Sequence, residues 1–560
     1  MSKIEELKQL MSIEGCNTAP DIKRHFDHIA KLLFECFVIE YEGSLYLFND
    51  IEFYYYNKNH RDIITHPRIS KAMRWYINDF GGIDLNFESS IKAKIISNDK
   101  KKSSKHYFLD DNASFGGILL RKLTKKDGSE ILDGPWACAE LFRTFNAVSE
   151  DGDFPRLVEH NNGSVAYVCE KRKNLRTQQQ NIEKKVCSII GKFESYPKFE
   201  LLCNDFAIFE EKRYRYVRCE NLMHDSDTNE VYFSTWLKDK RDGHPEFYHR
   251  LIDLLNDIGI TTKELHYTED YWARDYMPIQ LGKEEFVKYR YYPDYLVNSN
   301  KPGDADTITD CTKVLHGMGI NCRKTNLIID GGNMVCCGPY IVMTDKVYTE
   351  NHYEKGDMAF KHKLESELGH PVIIIPWTLH GDFNSDDTDK YGHSDGFLRW
   401  CGDNRILMGN HGDEYPEEAK EIKDILVEYG FSVTEMRFND IVSSPCKELN
   451  WAYINFLQVG KHIVMPSFNI EEDNTAYQDV KNPFSDCHIH LLEMTEIAKE
   501  GGTLHCISLL QAMKDDETLT GIVRNRQLHI YRNGKKILIL AGKAQPKIIR
   551  EDKLNELITN

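Results

Sequence analysis

The sequence contains no run approaching the ~20 consecutive apolar residues that a membrane-spanning helix needs, so no such helix is expected. Its N-terminus, MSKIEELKQLMSIEG, is broken by acids and lacks the apolar stretch of a signal peptide. No CxxC pairs with a second CxxC or with HxxxH, so a structural zinc site is not indicated. The fifteen cysteines show no regular spacing and are odd in number, which argues against a disulfide framework and for a reducing compartment. Tandem repeats and low-complexity tracts are absent. So is any surplus of positive charge, the formal net charge being −17. The expectation is a soluble, cytoplasmic protein with no membrane partner and no bound metal.

What is present is globular: 560 residues, 41% apolar and 28% charged, too long for one ordinary core. Residues 1–225 carry as many basic as acidic residues, so the whole negative surplus falls on the remainder. An acidic half suits a small cation better than a polyanion. The first segment opens with a helical pattern from Ile22 to Phe37, followed by aromatic strand-like runs, FVIEYEGSLYLFNDIEFYYY and FGGILLRKL. KRKNLRTQQQNIEKKV reads as a solvated helix or its flanking loop. ENLMHDSDTNE is polar without periodicity and reads as a linker. From Val231 short apolar runs (LIIDGG, YIVMT, PVIIIPW, RILMG, HIVMP) alternate with helical segments, the pattern of an α/β domain. RQLHIYRNGKKILIL, with Asn533-Gly534 between alternating apolar residues, signals a hairpin that could add strands to the sheet system. The organisation expected is an α+β domain over 1–225, a linker at 226–230, an α/β domain over 231–513 and a hairpin extension over 514–560.

Four segments of the second half could carry chemistry. TEDYWARDYMP sets Asp270, Arg274 and Asp275 among Tyr271, Trp272 and Tyr276; a carboxylate where water is scarce pulls strongly on a cation. An Arg–Asp pair tying a loop together accounts for that segment equally. IIDGGN ends a strand in two glycines, which permits close approach of the backbone or simply a tight turn. In DKYGHSDG, His393 and Asp395 stand two apart, so on extended backbone they share a face, as an acid/base and a cation anchor would. Metal ligation by that pair would need further ligands, and no motif supplies them. GGTLHCISL places Cys506 just beyond a turn, where a thiol can be activated; most free cysteines are merely small buried apolar residues.

Taken together and in order, these segments resemble the guanidino-group-modifying enzymes, in particular agmatine deiminase and the bacterial peptidylarginine deiminase-like proteins. YWARDYMP stands for that family's WxRDxGP, DGGN for (E/D)GGN, GHSDGFLRW for GHxD, NWAYINF for its S/AYxNF strand and GGTLHCIS for GGxxHC. The resemblance covers roughly 230–512 and implies a pseudo-fivefold α/β-propeller (pentein) with the active site in its central channel. It further implies Cys506 as nucleophile, His393 as general acid/base, and Asp275 and Asp395 as the guanidinium-binding carboxylates. Trp272, Asp389, Asn333 and Asn455 are implied as supporting or substrate-binding residues, and no organic cofactor. Met277 replaces the usual glycine, and Asp330 replaces the glutamate often found before GGN. The activity implied is hydrolysis of a guanidinium to a ureido group and ammonia. An agmatine-like substrate is favoured. Arginine or an arginyl peptide would need a cation for its carboxylate, for which Lys288 and Arg290 in FVKYRYYPDYL are candidates; a solvent-facing strand edge explains them as well.

Residues 1–225 lie outside that resemblance. They faintly resemble uncharacterised domains reminiscent of alkylpurine DNA glycosylases, in which Tyr54, Tyr55, Tyr56 and Trp75 could stack a base and Glu52 or His60 could activate water. No basic stripe supports nucleic acid, so the default reading is a partner- or ligand-binding module that could gate the second half. The other readings are an effector coupled to a nucleic-acid sensor and an idle binding module that keeps the cation site. A homo-oligomer is compatible with all of them.

Overall fold

The structure is a computed structural model. It describes the chain apart from residues 1, 14, 17, 79, 98–102, 144–153, 174, 176–198, 242, 319, 382–388, 440, 442–446, 513–518, 525–526, 533–534 and 542–560. Most of the KRKNLRTQQQNIEKKV segment and the Asn533-Gly534 turn therefore lie outside the described residues.

The first half builds on one antiparallel sheet of ten strands. Its centre is the long strand Ser44–Asn57, paired with Phe115–Lys125 from Tyr46 opposite Lys125 to Tyr56 opposite Phe115. Helix Ala19–Cys36, capped by Thr18 with Pro20 in its first turn, presents Ile22, Phe26, Ile29, Ala30 and Leu33 at helical spacing to that core. Polar side chains inside it are paired: Arg172 with Asp62 at 2.7 Å, Arg121 with Glu52 at 3.0 Å and Arg215 with Asp50 at 2.6 Å. This bears on Glu52 and His60 as candidate bases. Glu52 is fully buried against Arg121. His60 is buried with one ring nitrogen on the Tyr55 carbonyl and the other on the Tyr214 hydroxyl. Neither is free to activate water.

The second half is mixed α/β and repeats one unit. Five three-stranded sheets occur among its described residues up to 511. Their central strands are Glu230–Ser234, Glu285–Arg290, Tyr340–Thr344, Arg405–Met408 and His462–Ser467. Each central strand pairs antiparallel with one neighbour and parallel with the other. A parallel pair needs a crossover, and each crossover here carries a helix: Pro245–Asp257, Thr312–Met318, Met358–Leu368, Pro416–Glu428 and Glu472–Lys481. The first sheet is completed by the last strand, Ser508–Gln511, lying antiparallel to Glu230–Ser234. That pairing ties residue 230 to residue 511 and brings the chain end that follows Cys506 back to the start.

Two expectations about connections change. Residues 220–230 are packed in place and do not form a free linker. Leu222 N–H donates to the Gly338 carbonyl at 3.0 Å and Met223 N–H to Leu281 at 3.0 Å. Asp225–Asp227 is a 3-10 turn, and His224 is buried, stacked on Trp400 at 3.7 Å. The C-terminal strands Leu519–Arg524, Gln527–Arg532 and Lys535–Ala541 pair only with each other among the described residues, as a separate sheet.

The two halves touch through polar contacts. Arg213 lies over the Tyr429 ring at 3.8 Å and donates to its hydroxyl at 2.6 Å, and its backbone N–H donates to Glu428 at 3.2 Å. The buried Tyr340 hydroxyl accepts the backbone N–H of Cys169. Tyr340→Phe leaves that N–H without its acceptor and is expected to cost about 1–3 kcal/mol. The readout is faster hydrogen exchange at the Cys169 amide; unchanged exchange would contradict this docking contact.

Candidate active site

The five motif segments occupy one position in the repeat. Each is the connection that leads into the antiparallel partner strand of its sheet: 268–278 before Ile279–Gly282, 329–334 before Val335–Cys337, and 389–397 before Leu398–Trp400. Residues 447–456 precede Leu457–Val459, and 501–507 precede Ser508–Gln511. The side chains from these connections converge.

Cys506 is buried, its Sγ 3.7 Å from Asp395 Oδ2. Asp395 Oδ2 is also 2.6 Å from His505 Nδ1. His393, nearly buried, points one ring nitrogen at Asp275 Oδ1 (3.5 Å) and the other at Asp330 Oδ2 (3.1 Å). Asp275 Oδ1 accepts the Gly332 N–H at 3.0 Å. A Cβ on Gly332 would stand 2.5 Å from His393 Nδ1 and 2.7 Å from Asp275 Oδ1, so only glycine lets this backbone pass. A Cβ on Gly502 would meet the Trp272 ring at 2.4 Å and Cys506 Cβ at 3.1 Å, which packs Trp272 beside the Cys506 loop.

Two asparagines lock the loops together. Asn455 Oδ1 accepts from Thr503 N–H (3.3 Å), Thr503 Oγ1 (3.0 Å) and Cys506 N–H (3.4 Å), while its Nδ2 donates to the Asp395 carbonyl at 3.2 Å. Asn333 Oδ1 accepts the N–H groups of Thr344 (2.7 Å) and Ser394 (3.3 Å). Both side-chain oxygens accept backbone N–H groups of neighbouring connections and so fix the loops that carry Asp395 and Cys506.

Electrostatics separate the groups by role. Burial, then the charges of Asp395 and Asp275, push the Cys506 thiol well above its usual range, so it is protonated in the free protein. Burial alone would lower His393, but Asp275, Asp330 and Asp395 outweigh it and raise the imidazole to about 9. Burial pushes Asp275 up to about 7 against the pull of His393, with Asp330 and Asp395 adding to the rise. Asp395 is likewise buried, yet His505 and Arg399 hold it down at about 2. Asp330, opposed by burial, is kept low by Lys346 and His393.

The structure brings together Cys506, His393, Asp275, Asp395 and Trp272, with Asn333 and Asn455 behind them. It does not bring in Asp389 or Arg290. Asp389 is exposed and caps its own loop, accepting the N–H groups of Tyr391 (3.0 Å) and Gly392 (3.1 Å). Arg290 is exposed over the Tyr292 ring at 4.5 Å, and Lys288 is paired with Asp310 at 2.9 Å. The shared face expected for His393 and Asp395 is also revised. Ser394–Gly396 is a 3-10 turn, so Asp395 turns to His505 while His393 turns to Asp275 and Asp330. Arg274 does not pair with Asp275; its side chain lines a different cavity, with Asp225 and Arg399.

Four contributors escaped the sequence reading. His505 sits inside the GGTLHCIS motif, where it read as a flank to Cys506. Asp330 was noted only as a shortened glutamate. Lys346, buried among Asp294 (2.9 Å), Glu350 (2.9 Å) and Asp330 (3.5 Å), lies in YIVMTDKVYTE, which carries no motif. Asp225, 3.4 Å from His505 Nε2, lies in the polar stretch taken for a linker. Among the described residues, no group of three or more His, Cys, Asp or Glu side chains is placed to hold a metal ion, and no helix is long and apolar enough to cross a membrane.

The model of the Porphyromonas-type peptidyl-arginine deiminases matches residues 157–511. The chain belongs to that family. The match begins earlier than the motif-based resemblance at about 230 and takes in the last strands of the N-terminal sheet, Ala166–Glu170 and Arg215–Cys219. A Streptococcus mutans protein provisionally named agmatine deiminase is 38% identical over 239 residues, 38% of this chain and 63% of the relative. A Pseudomonas aeruginosa agmatine deiminase is 24% identical over 218 residues, 34% of this chain and 58% of the relative. The chain thus spans less than two thirds of the length of these curated relatives. The solved structure of a C. jejuni agmatine deiminase with substrate bound overlays with a TM-score of 0.42 at 15% identity, covering 52% of this chain and 96% of that one.

The pairing of His393 with Asp330 gives a direct test. The His393 imidazole, followed by NMR, is expected to titrate near 9, and Asp330→Asn to lower that value by roughly one unit or more, as loss of a buried charged partner does. An imidazole titrating near the unperturbed value of about 6.5 in the parent protein would contradict the arrangement.

Proposed function

We propose that the chain is a guanidine deiminase, its five repeat units closing a pseudo-fivefold propeller around the site. The observation that carries this reading is the convergence of a buried thiol, a protonated imidazole and the carboxylates of Asp275 and Asp395. Such a cluster carries excess negative charge and is completed by a planar cation. Two carboxylates can each accept N–H groups of a guanidinium and fix its plane for attack.

In the proposed reaction the bound cation offsets the burial and carboxylate charge that keep Cys506 protonated, and the thiol gives its proton to solvent. The thiolate sulfur forms a bond to the central carbon. The C–N bond to one terminal nitrogen then breaks as that nitrogen takes a proton from the His393 imidazolium and leaves as ammonia. Water, giving its proton to His393, adds to the carbon of the thiouronium intermediate. The C–S bond breaks as the added hydroxyl gives up its proton to solvent, releasing the neutral ureido product and restoring the thiolate. His505 and Asn455 act by holding Asp395 and the Cys506 loop.

An agmatine-like substrate fits best. Lys346 is engaged by three carboxylates and Lys288 by Asp310, Arg290 lies on Tyr292 outside the cluster, and Arg274 and Arg399 line a separate cavity with Asp225. A substrate without a carboxylate needs none of them.

Purified protein offered agmatine, arginine and arginyl peptides is expected to release ammonia and ureido product, fastest from agmatine. Faster release from arginine or a peptide would overturn the substrate assignment. Cys506→Ala is expected to lose turnover while still binding substrate; undiminished ammonia release would refute the nucleophile. Asp395→Asn is expected to weaken binding and rate together, because it removes charge from ground and transition states alike. Asp275 gains its charge near pH 7 and His393 loses its proton near 9. Attack requires an ionised Asp275 and loss of one proton from the Cys506–His393 pair. kcat/KM is therefore expected to rise between about pH 7 and 9, and a flat profile over that range would count against the scheme.

A further inference from the structure

Behind the Cys506 cluster lies a second cavity, of about 50 Å³, lined by Asp225, Arg274, Cys336, Arg399, Trp400 and His505 among others. Arg399 is 3% exposed; its Nη2 donates to the Phe456 carbonyl at 3.2 Å, but its Nε and Nη1 find no partner. Arg274 Nε and Nη2 and Trp400 Nε1 are also buried without partners. Asp225 is the only carboxylate among the lining residues, and it already faces His505 Nε2 at 3.4 Å. Two guanidinium groups thus share one lining carboxylate, with Asp395 acting on Arg399 from beyond the wall, and five N–H-bearing nitrogens lack acceptors. Leaving such donors unmet in the interior is costly, more so for charged groups. Water would supply acceptors, but donors carried on two guanidinium groups are better met by an anion. At roughly 10–15 Å³ per water-sized occupant, the space suits a chloride-sized ion and excludes a nucleotide or peptide.

We propose that this cavity binds a small monovalent inorganic anion between Arg274 and Arg399, and that its occupancy is sensed at Cys506 through His505 and Asp395. The path is short: the His505 ring reaches Asp225 at the cavity wall with one nitrogen and Asp395 Oδ2 at 2.6 Å with the other, and Asp395 lies 3.7 Å from the thiol. An anion there offsets the two guanidinium charges and adds negative potential behind the sulfur. Thiolate formation becomes harder, so the anion acts as a brake.

The test uses the full chain and needs no turnover, so it stands apart from the deiminase reading. Crystals grown with bromide are expected to show an anomalous peak within hydrogen-bond reach of both guanidinium groups. Iodoacetamide alkylation of Cys506, followed by mass spectrometry at constant ionic strength, is expected to slow at least twofold when gluconate is replaced by chloride. Arg399→Gln is expected to remove that difference. Should it fail to fold, Trp400→Phe, which deletes one donor and keeps the ring, is expected to shift the half-effect to higher chloride. A cavity without bromide, together with equal alkylation rates in the two salts, would overturn the proposal.

Discussion

The site depends on negative charge buried in excess of its compensation. Asp275, Asp330 and Asp395 are each buried, and one imidazolium, His393, lies among them. Like charges at such distances in a poorly hydrated interior repel strongly, and the fold tolerates them through fixed partners. Those partners are the Gly332 N–H on Asp275, Lys346 on Asp330 and His505 on Asp395. Burial, with the charges of Asp395 and Asp275 added to it, keeps the Cys506 thiol protonated. On the proposed reading the same carboxylates attract a planar cation, whose arrival eases ionisation of Cys506.

No single unit of the fold contains this arrangement. Asp275 enters from the connection into the second sheet, Asp330 and Gly332 from the third, His393 and Asp395 from the fourth, Asn455 from the fifth and Cys506 from the closing strand of the first. The strand pairing between Glu230–Ser234 and Ser508–Gln511 therefore also seats Cys506, the nucleophile of the proposed reaction. Asn455 and Asn333 then bond one connection to the next, so side chains more than a hundred residues apart, such as Asp395 and Cys506, come within contact.

Much of this was legible in the sequence for identifiable reasons. The motifs carry glycines where backbone must pass a side chain of the cluster, as at Gly332 and Gly502, and that demand leaves a visible mark. The long aromatic strands and the Ala19–Cys36 helix announce themselves through periodicity. What was illegible depends on partners distant in the chain. His505 and Lys346 look like ordinary polar residues until Asp395 and Asp330 are set beside them. Asp225 read as linker because polarity usually marks solvent, whereas here it marks a polar cavity. Arg290 and Asp389 were misplaced by the opposite error. Position near a motif suggested participation, but one side chain turns to Tyr292 and the other caps its own loop.

The central claim is that carbon–sulfur bond formation at Cys506 splits the guanidinium. Acid-quenched protein taken during turnover of agmatine, digested and analysed by mass spectrometry, tests it most directly. The peptide containing Cys506 should carry the mass of the substrate less ammonia. Ureido product accumulating while that peptide stays unmodified, or while the adduct sits on another cysteine, would contradict it.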